Sequence, residues 1–217
     1  MAANETQWLG LRDYEPVWRE MQAFTDTRDD STADKLWFCE HPSVFTLGMA
    51  ASREHVLAPG DIPLVAIDRG GQVTYHGPGQ LMIYPLVNVR RAKLGVRGLV
   101  SGLENAVIDY LASLDVEAAS RCDAPGVYVD GKKIASIGLR IRRGCCYHGM
   151  AFNIDMDLEP FQRINPCGFS NLEVIDLRSL GITQRTETVA AALTPRLNQA
   201  LQTEFSFPAD MPKLSIG

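Results

Sequence analysis

The segment Gly126–Arg142 narrows the fold more than any other. Val127-Tyr128-Val129 runs into Asp130-Gly131 and out again into a second strand-like run. Asp-Gly between two such runs suits a two-residue hairpin turn, because both central positions take positive φ. The segment therefore predicts an antiparallel β-hairpin. In a regular strand alternate side chains share a face. Residues 133, 135, 137, 139 and 141 (Lys, Ala, Ile, Leu, Ile) then share one, and residues 132, 134, 136, 138, 140 and 142 (Lys, Ile, Ser, Gly, Arg, Arg) the other. That parity sets Lys133 with the apolar group and Lys132 with the polar one. A desolvated lysine has its pKa lowered and exchanges protons nearer neutral pH. A bulge would reverse the parity, and a lysine at a strand end can also snorkel to water.

Around the hairpin, apolar spacing predicts the remaining elements. Tyr14, Val17, Trp18, Met21 and Phe24 give a helix over about 14–24, and Leu99, Leu103, Val107 and Leu111 one over about 99–114. Val189, Leu193, Leu197, Leu201 and Phe205 give a C-terminal helix, which Pro195 kinks or shortens. Short strands are expected at 35–39, 44–47 and 64–67, and longer ones at 81–89 and 147–154. Pro85 argues that the 81–89 strand is an edge or carries a bulge. Strands in the middle, with helices at both ends and one between, indicate an α+β fold rather than alternating βαβ units. The length of 217 residues fits one domain spanning 1–217.

Composition excludes several classes. The net charge of −5 is wrong for a globally basic nucleic-acid coat. There is no apolar run of membrane-spanning length and no basic-then-apolar leader at the N-terminus. Neither nucleic acid nor membrane is expected as a partner. The five cysteines (39, 122, 145, 146 and 167) are odd in number and irregular in spacing, which fits a reducing, cytoplasmic location. They show no metal spacing.

Two segments carry chemistry. Arg69 to Tyr84, RGGQVTYHGPGQLMIY, packs four glycines behind an apolar strand. Glycine lets backbone amides approach a ligand, and Arg69 adds a planar cation. The spacing matches neither a phosphate-binding P-loop nor a dinucleotide fingerprint, and a turn-rich surface loop is the competing interpretation. Cys167 lies in Asn165-Pro166-Cys167-Gly168, whose proline and glycine mark a loop that a substrate can reach. Cys39 reads as core. A thiol at its free pKa of about 8.5 needs a neighbouring base or cation to act as a nucleophile, and Lys133 is the candidate.

These residues resemble the lipoate and biotin protein-attachment superfamily, in particular its lipoyl/octanoyl transferases. The likeness rests on Arg69-Gly70-Gly71, Thr74-Tyr75-His76, Gln80 and Tyr84, and continues through GVYVDGKKIASIGLRI and RINPCG. It implies a mixed, largely antiparallel central sheet flanked by helices, similar to the biotin/lipoate protein ligase catalytic domain. It also implies a Cys167/Lys133 dyad that moves an octanoyl (or lipoyl) group from octanoyl-acyl carrier protein to a lysine of lipoyl domains. The acceptors would be 2-oxoacid dehydrogenase subunits and the glycine cleavage H protein, and no cofactor or metal is implied. The acyl chain would lie along Arg69, Gly70, Gly71, Gln72, Val73, Thr74, Tyr75 and His76. Ser136, Ile137 and Gly138, with Gly149, Met150 and Ala151, would form further walls. Three rivals remain open: an ATP-dependent ligase of the same fold, a non-catalytic carrier-binding module, and a hydrolase pairing Cys167 with His76. The basic runs at 90–93 and 140–143 are candidate docking points for acidic partners, or simply solvated charge.

Overall fold

A computed structural model of the chain describes residues 4–165 and 172–207. Ten strands and three helices organise these residues. The strands are β1 (Glu5–Leu11), β2 (Lys35–Glu40), β3 (Val44–Leu47), β4 (Leu64–Ala66), β5 (Val73–His76), β6 (Gln80–Leu86), β7 (Ala119–Ser120), β8 (Gly126–Val129), β9 (Lys132–Arg142) and β10 (Cys145–Asn153). The helices are α1 (Tyr14–Thr27), α2 (Val96–Ala112) and α3 (Thr186–Leu201). The main sheet runs β1-β2-β6-β10-β9-β8-β7 and is antiparallel except for the β1–β2 pair. A small sheet, β4-β3-β5, stands beside it. The expected α+β class and mixed, largely antiparallel sheet are both present.

Period-two alternation divides the core. On β2, Leu36 and Phe38 face α2 and α3, whereas Trp37 and Cys39 face α1. On β6, Leu81 and Ile83 take the first side and Met82 and Tyr84 the second. The first side gathers Leu99, Leu103 and Val107 from α2 with Val189, Leu193 and Leu197 from α3. Each such side chain, fully buried, contributes about 1.5–3 kcal/mol. A third cluster, Phe45, Val73, Tyr75, Phe161 and Ile164, packs under the small sheet.

The hairpin forms as expected. Asp130 (φ 49) and Gly131 (φ 78) make the turn, closed by the Val129–Lys132 pair. The strand beyond it is not regular. Ser136 pairs with Gly126 and Ala135 with Val127, but Tyr128 pairs with Lys133, so Ile134 is an extra residue, a β-bulge. The parity reverses there. Ile134 and Ala135 both enter the helix-side core with Val127 and Val129. Lys133 shares the opposite face with Tyr128, Gly126, Ser136 and Gly138. The expectation that Lys133 lies on the face of Ala135, Ile137 and Leu139 is therefore corrected.

Other expectations also need revision. Pro85 sits in β6, an inner strand, so the edge assignment fails. It pairs with Leu36 on β2, while on the other side the ladder to β10 lapses after Ile83–Met150 and resumes only at Asn88–Cys145. Keeping that register sets Pro85, which has no N–H to give, opposite His148, which takes a φ of 58. Residues 73–76 form strand β5 rather than loop. Strand β1 was not foreseen. Helix α3 runs through Pro195, and Phe205 lies beyond its end, pinned by paired hydrogen bonds with the Asn198 side chain (2.9 Å each).

Asp34 pins the entry to β2. It is buried, bridges Arg28 (2.5 Å) and Arg91 (2.7 Å), and accepts the Asn88 N–H (2.8 Å). Removing one partner strands the other charges in the interior. Asp34→Ala should cost about 3–5 kcal/mol of unfolding free energy, measurable by urea denaturation at pH 7; a loss below about 1 kcal/mol would show that water repairs the site.

Candidate active site

A narrow cleft, partly open to solvent, lies on the α1 side of the main sheet. Of the residues expected to hold an acyl chain, Arg69, Gly71, Gln72, Val73, Thr74 and His76 line it from the glycine-rich segment. Ser136, Ile137 and Gly138 line it from β9, and Gly149 and Ala151 from β10. Three expected residues do not. Met150 points to the helix-side core by strand alternation. Tyr75 packs against Phe45 and Phe161, with its hydroxyl 2.9 Å from Ser43 Oγ. Gly70 docks the loop onto β9, donating its N–H to the Leu139 carbonyl (3.0 Å). Gly138 leaves no room for a side chain: a Cβ there would meet Arg69 Cδ at 2.8 Å and the Gly70 carbonyl oxygen at 3.1 Å.

The sequence reading overlooked Tyr14, Met82 and His148, which also line the cleft. Helical spacing marks Tyr14 only as core, and nothing local singles out His148. Tyr14 stacks on His76 with ring centroids 5.3 Å apart. The three imidazoles around the cleft are held neutral. Burial lowers the His41 pKa to about 4 and pushes His76 and His148 down as well.

His76 belongs to a buried chain of hydrogen bonds running in one sense. Arg69 Nη2 donates to Thr46 Oγ1 (2.9 Å), and Thr46 donates to His76 Nε2 (3.2 Å). His76 Nδ1 donates to Gln80 Oε1 (2.8 Å), Gln80 Nε2 to Asn153 Oδ1 (2.9 Å), and Asn153 Nδ2 to the Ile175 carbonyl (2.9 Å). Both ring nitrogens of His76 are thereby engaged. Arg69 braces the loop as well, donating to the Thr46 carbonyl (2.8 Å) and the Gly70 carbonyl (2.9 Å).

Lys133 is 1% exposed. Its Nζ donates to the Pro125 carbonyl (3.1 Å) and lies 5.3 Å from the Tyr128 ring centroid. Lys132 is exposed and pairs with Glu173 (2.6 Å). Cys167 lies outside the described residues. The chain reaches Asn165, whose N–H donates to the His55 carbonyl (2.8 Å), and its return segment pairs with Lys133 itself. Lys133 N–H donates to the Glu173 carbonyl (2.8 Å) and Ile175 N–H to the Lys133 carbonyl (3.0 Å). Of the other cysteines, 39, 145 and 146 are buried with their thiols pushed up by burial, and Cys122 is exposed. Among the described residues no group of three or more His, Cys, Asp or Glu could hold a metal ion, and no helix is long and apolar enough to cross a membrane.

The family model for the lipoyl protein ligase A/B catalytic domain matches residues 13–198. An octanoyltransferase of Shewanella woodyi is 54% identical over 195 residues, covering 90% of this chain and 89% of that one. The octanoyltransferase of Shewanella oneidensis is 55% identical over 193 residues, 89% of each chain. In fold, the chain is similar to lipoate-protein ligase A bound with ATP (TM-score 0.78, 16% identity, 95% of this chain and 89% of that one). It is also similar to the Aquifex aeolicus biotin protein ligase in complex with biotin and ATP (TM-score 0.55, 12% identity, 91% and 70%).

Asp68 anchors one wall. It accepts from Trp18 Nε1 (2.8 Å), His148 Nε2 (2.9 Å) and the Tyr147 hydroxyl. Burial pushes its carboxyl up, but the bonds from His148, Tyr147 and Trp18 outweigh this and hold it well below the usual carboxylate range. A carboxyl depressed in the folded state binds its proton more readily when unfolded, so its contribution is present above the unfolded value and fades as pH falls. Asp68→Asn should therefore be less stable than wild type at pH 7, with the gap closing below about pH 4. Urea midpoints from pH 7 to pH 3 check this; a gap that widens in acid would reverse the assignment.

Proposed function

Because the chain belongs to the family of lipoyl protein ligase A/B catalytic domains, we propose that it works as one catalytic domain over 1–217, with Cys167 as nucleophile and Lys133 as its proton partner. The activity is octanoyl transfer for protein lipoylation, an acyltransferase reaction, and the acceptors are lipoyl-domain proteins. The donor in this reading is octanoyl-acyl carrier protein, and the acceptors include 2-oxoacid dehydrogenase subunits and the glycine cleavage H protein.

The observation that carries the reading is the Ile134 bulge. It turns a buried lysine onto the face of the sheet that bears Ser136 and Gly138 in the cleft wall, and the segment following Cys167 pairs directly with that lysine. In the first half-reaction Lys133 takes the Cys167 proton, and the thiolate attacks the thioester carbonyl of the donor. The carrier sulfur leaves and receives the proton, and octanoyl remains on Cys167 as a thioester. In the second half-reaction the ε-amine of the acceptor lysine attacks that carbonyl. The amide forms, Cys167 sulfur leaves, and Lys133 takes the amine proton. Thioester-to-amide exchange is downhill, so no step calls on ATP or a metal. Each methylene buried in the cleft adds about 0.8 kcal/mol to binding. The histidines, whose charged form burial disfavours, add no further cation beside Arg69 in the cleft wall.

Incubation with octanoyl-carrier should add one hydroxylamine-labile octanoyl group at Cys167, seen by intact mass. Turnover of Cys167→Ser at the wild-type rate would remove that residue from the mechanism, and a strict ATP requirement would favour a ligase. Lys133→Ala should abolish transfer, while Lys132→Ala, which loses only the surface pair with Glu173, should change it less than tenfold, or about 1.4 kcal/mol in the barrier. Lys133→Arg should keep some acylation but fail in transfer, because guanidinium cannot act as a base; full activity there would leave Lys133 supplying charge alone.

In this reading the acidic partners dock at the end of the β9–β10 hairpin, where Arg142 and Arg143 are exposed beside the half-buried Arg140. Arg142 also pairs with Asp26 (3.2 Å). Replacing all three with Ser should raise the KM for the carrier and weaken its dependence on salt, since exposed charges are screened within about 8–10 Å at 0.1–0.15 M. An unchanged KM and salt slope would move the docking surface elsewhere.

A further inference from the structure

We propose that Glu104, on α2, is a positioning residue for the transfer: its carboxylate fixes the Pro125-Gly126 turn against which the Lys133 ammonium is held, and supplies the buried negative charge beside it. The proposal rests on the reading of Lys133 given above. Glu104 is 6% exposed, and its Oε1 accepts the Gly126 N–H at 2.8 Å. Gly126 has a φ of +143, and a Cβ there would stand 2.3 Å from the Ala135 carbonyl oxygen and 3.0 Å from Lys133 Cε. The lysine stem therefore passes directly over Gly126, and its Nζ ends on the preceding carbonyl, Pro125 (3.1 Å). One turn is gripped from the helix by a carboxylate and from the cleft face by an ammonium. A shift of that turn moves the amine with it, and with it the proton exchange the amine performs.

Among the described residues, the groups that face this amine come from three elements. From α2 comes Glu104. From β8 comes the Tyr128 ring, whose hydroxyl donates to the Ala124 carbonyl (2.5 Å) and over which Arg121 also lies (5.2 Å). From the return segment comes Glu173, already paired with Lys132. Burial raises the Glu104 carboxyl, while the Gly126 N–H and the Lys133 charge pull it down. The carboxylate and the ammonium thus support one another across the turn.

Glu104→Gln separates the two roles, because it keeps an acceptor for Gly126 and removes the charge. Single-turnover acylation of Cys167 by octanoyl-carrier is followed from pH 5.5 to pH 9, with the melting temperature measured alongside. Losing a negative charge lowers every neighbouring pKa, so the acid limb of the Gln variant should move to lower pH by roughly 0.5–1 unit at an unchanged melting temperature. Glu104→Ala, which loses the turn as well, should acylate at least tenfold more slowly at its optimum while KM for the carrier stays put; a Gln variant with near-wild-type optimum rate rescues it. A Gln profile superimposed on wild type, or an Ala variant acylating at the wild-type rate, overturns the proposal. Lys133→Ala measured in parallel separates the two failures. If it is inactive while Glu104→Gln matches wild type, the Glu104 inference alone falls; if Lys133→Ala is fully active, both fall.

Discussion

One extra residue in a strand governs how this molecule is arranged. The bulge at Ile134 places two consecutive side chains, Ile134 and Ala135, into the helix-side core, and so turns the residue before them, Lys133, to the opposite face. Without it the hairpin would turn the lysine ammonium toward the leucines and valines of the helix-side core, where desolvating the charge is costly. With it, the apolar side gains a complete isoleucine and the cleft side gains an amine. The long β9 strand, the turn at Pro125-Gly126 and the return segment at Glu173–Ile175 are all disposed around that displacement.

The cleft is built from polar residues that turn their polarity into the protein. Asp68 collects Trp18, Tyr147 and His148, and His41 is spent on the Arg12 carbonyl and the Tyr84 hydroxyl. Ring faces, glycine backbone and methylene surface then share the cavity wall with Arg69, Gln72, Thr74 and Ser136. Buried polar groups that find partners rigidify their surroundings, so the walls hold their shape without being apolar in composition.

Much of this was legible in the chain beforehand, for reasons that differ by element. Steps of four in α2 and α3 and the Asp-Gly turn are local signals, and the helices and hairpin stand close to where those signals put them. Cleft residues on the glycine-rich segment came from the family resemblance, since composition and spacing alone left a surface loop equally open. β1 escaped because Glu5–Leu11 alternates weakly and is held by pairing with β2 and a bridge to Ser206, both distant in sequence. Pro85 misled because the ladder around it depends on His148 adopting an unusual φ, which only the neighbouring strand reveals. The bulge itself has no residue signature; it follows from matching Tyr128 and Gly126 to a strand one residue too long. Tyr14 and His148 reach the cleft through tertiary packing alone. Glu104 was invisible for the same reason, being one helical glutamate among several.

The hydrogen-bond chain from Arg69 to Ile175 has boundary conditions. A guanidinium can only donate and a backbone carbonyl can only accept, so the two ends admit a single direction of donation through Thr46, His76, Gln80 and Asn153. The orientations of two side-chain amides and the tautomer of His76 are thus solved together, like the spins of a short row clamped at both ends. No interior member can flip alone without setting two donors or two acceptors face to face. A glycine-rich loop on one side of the cleft and the segment beside Lys133 on the other are therefore tied to one shared arrangement of protons.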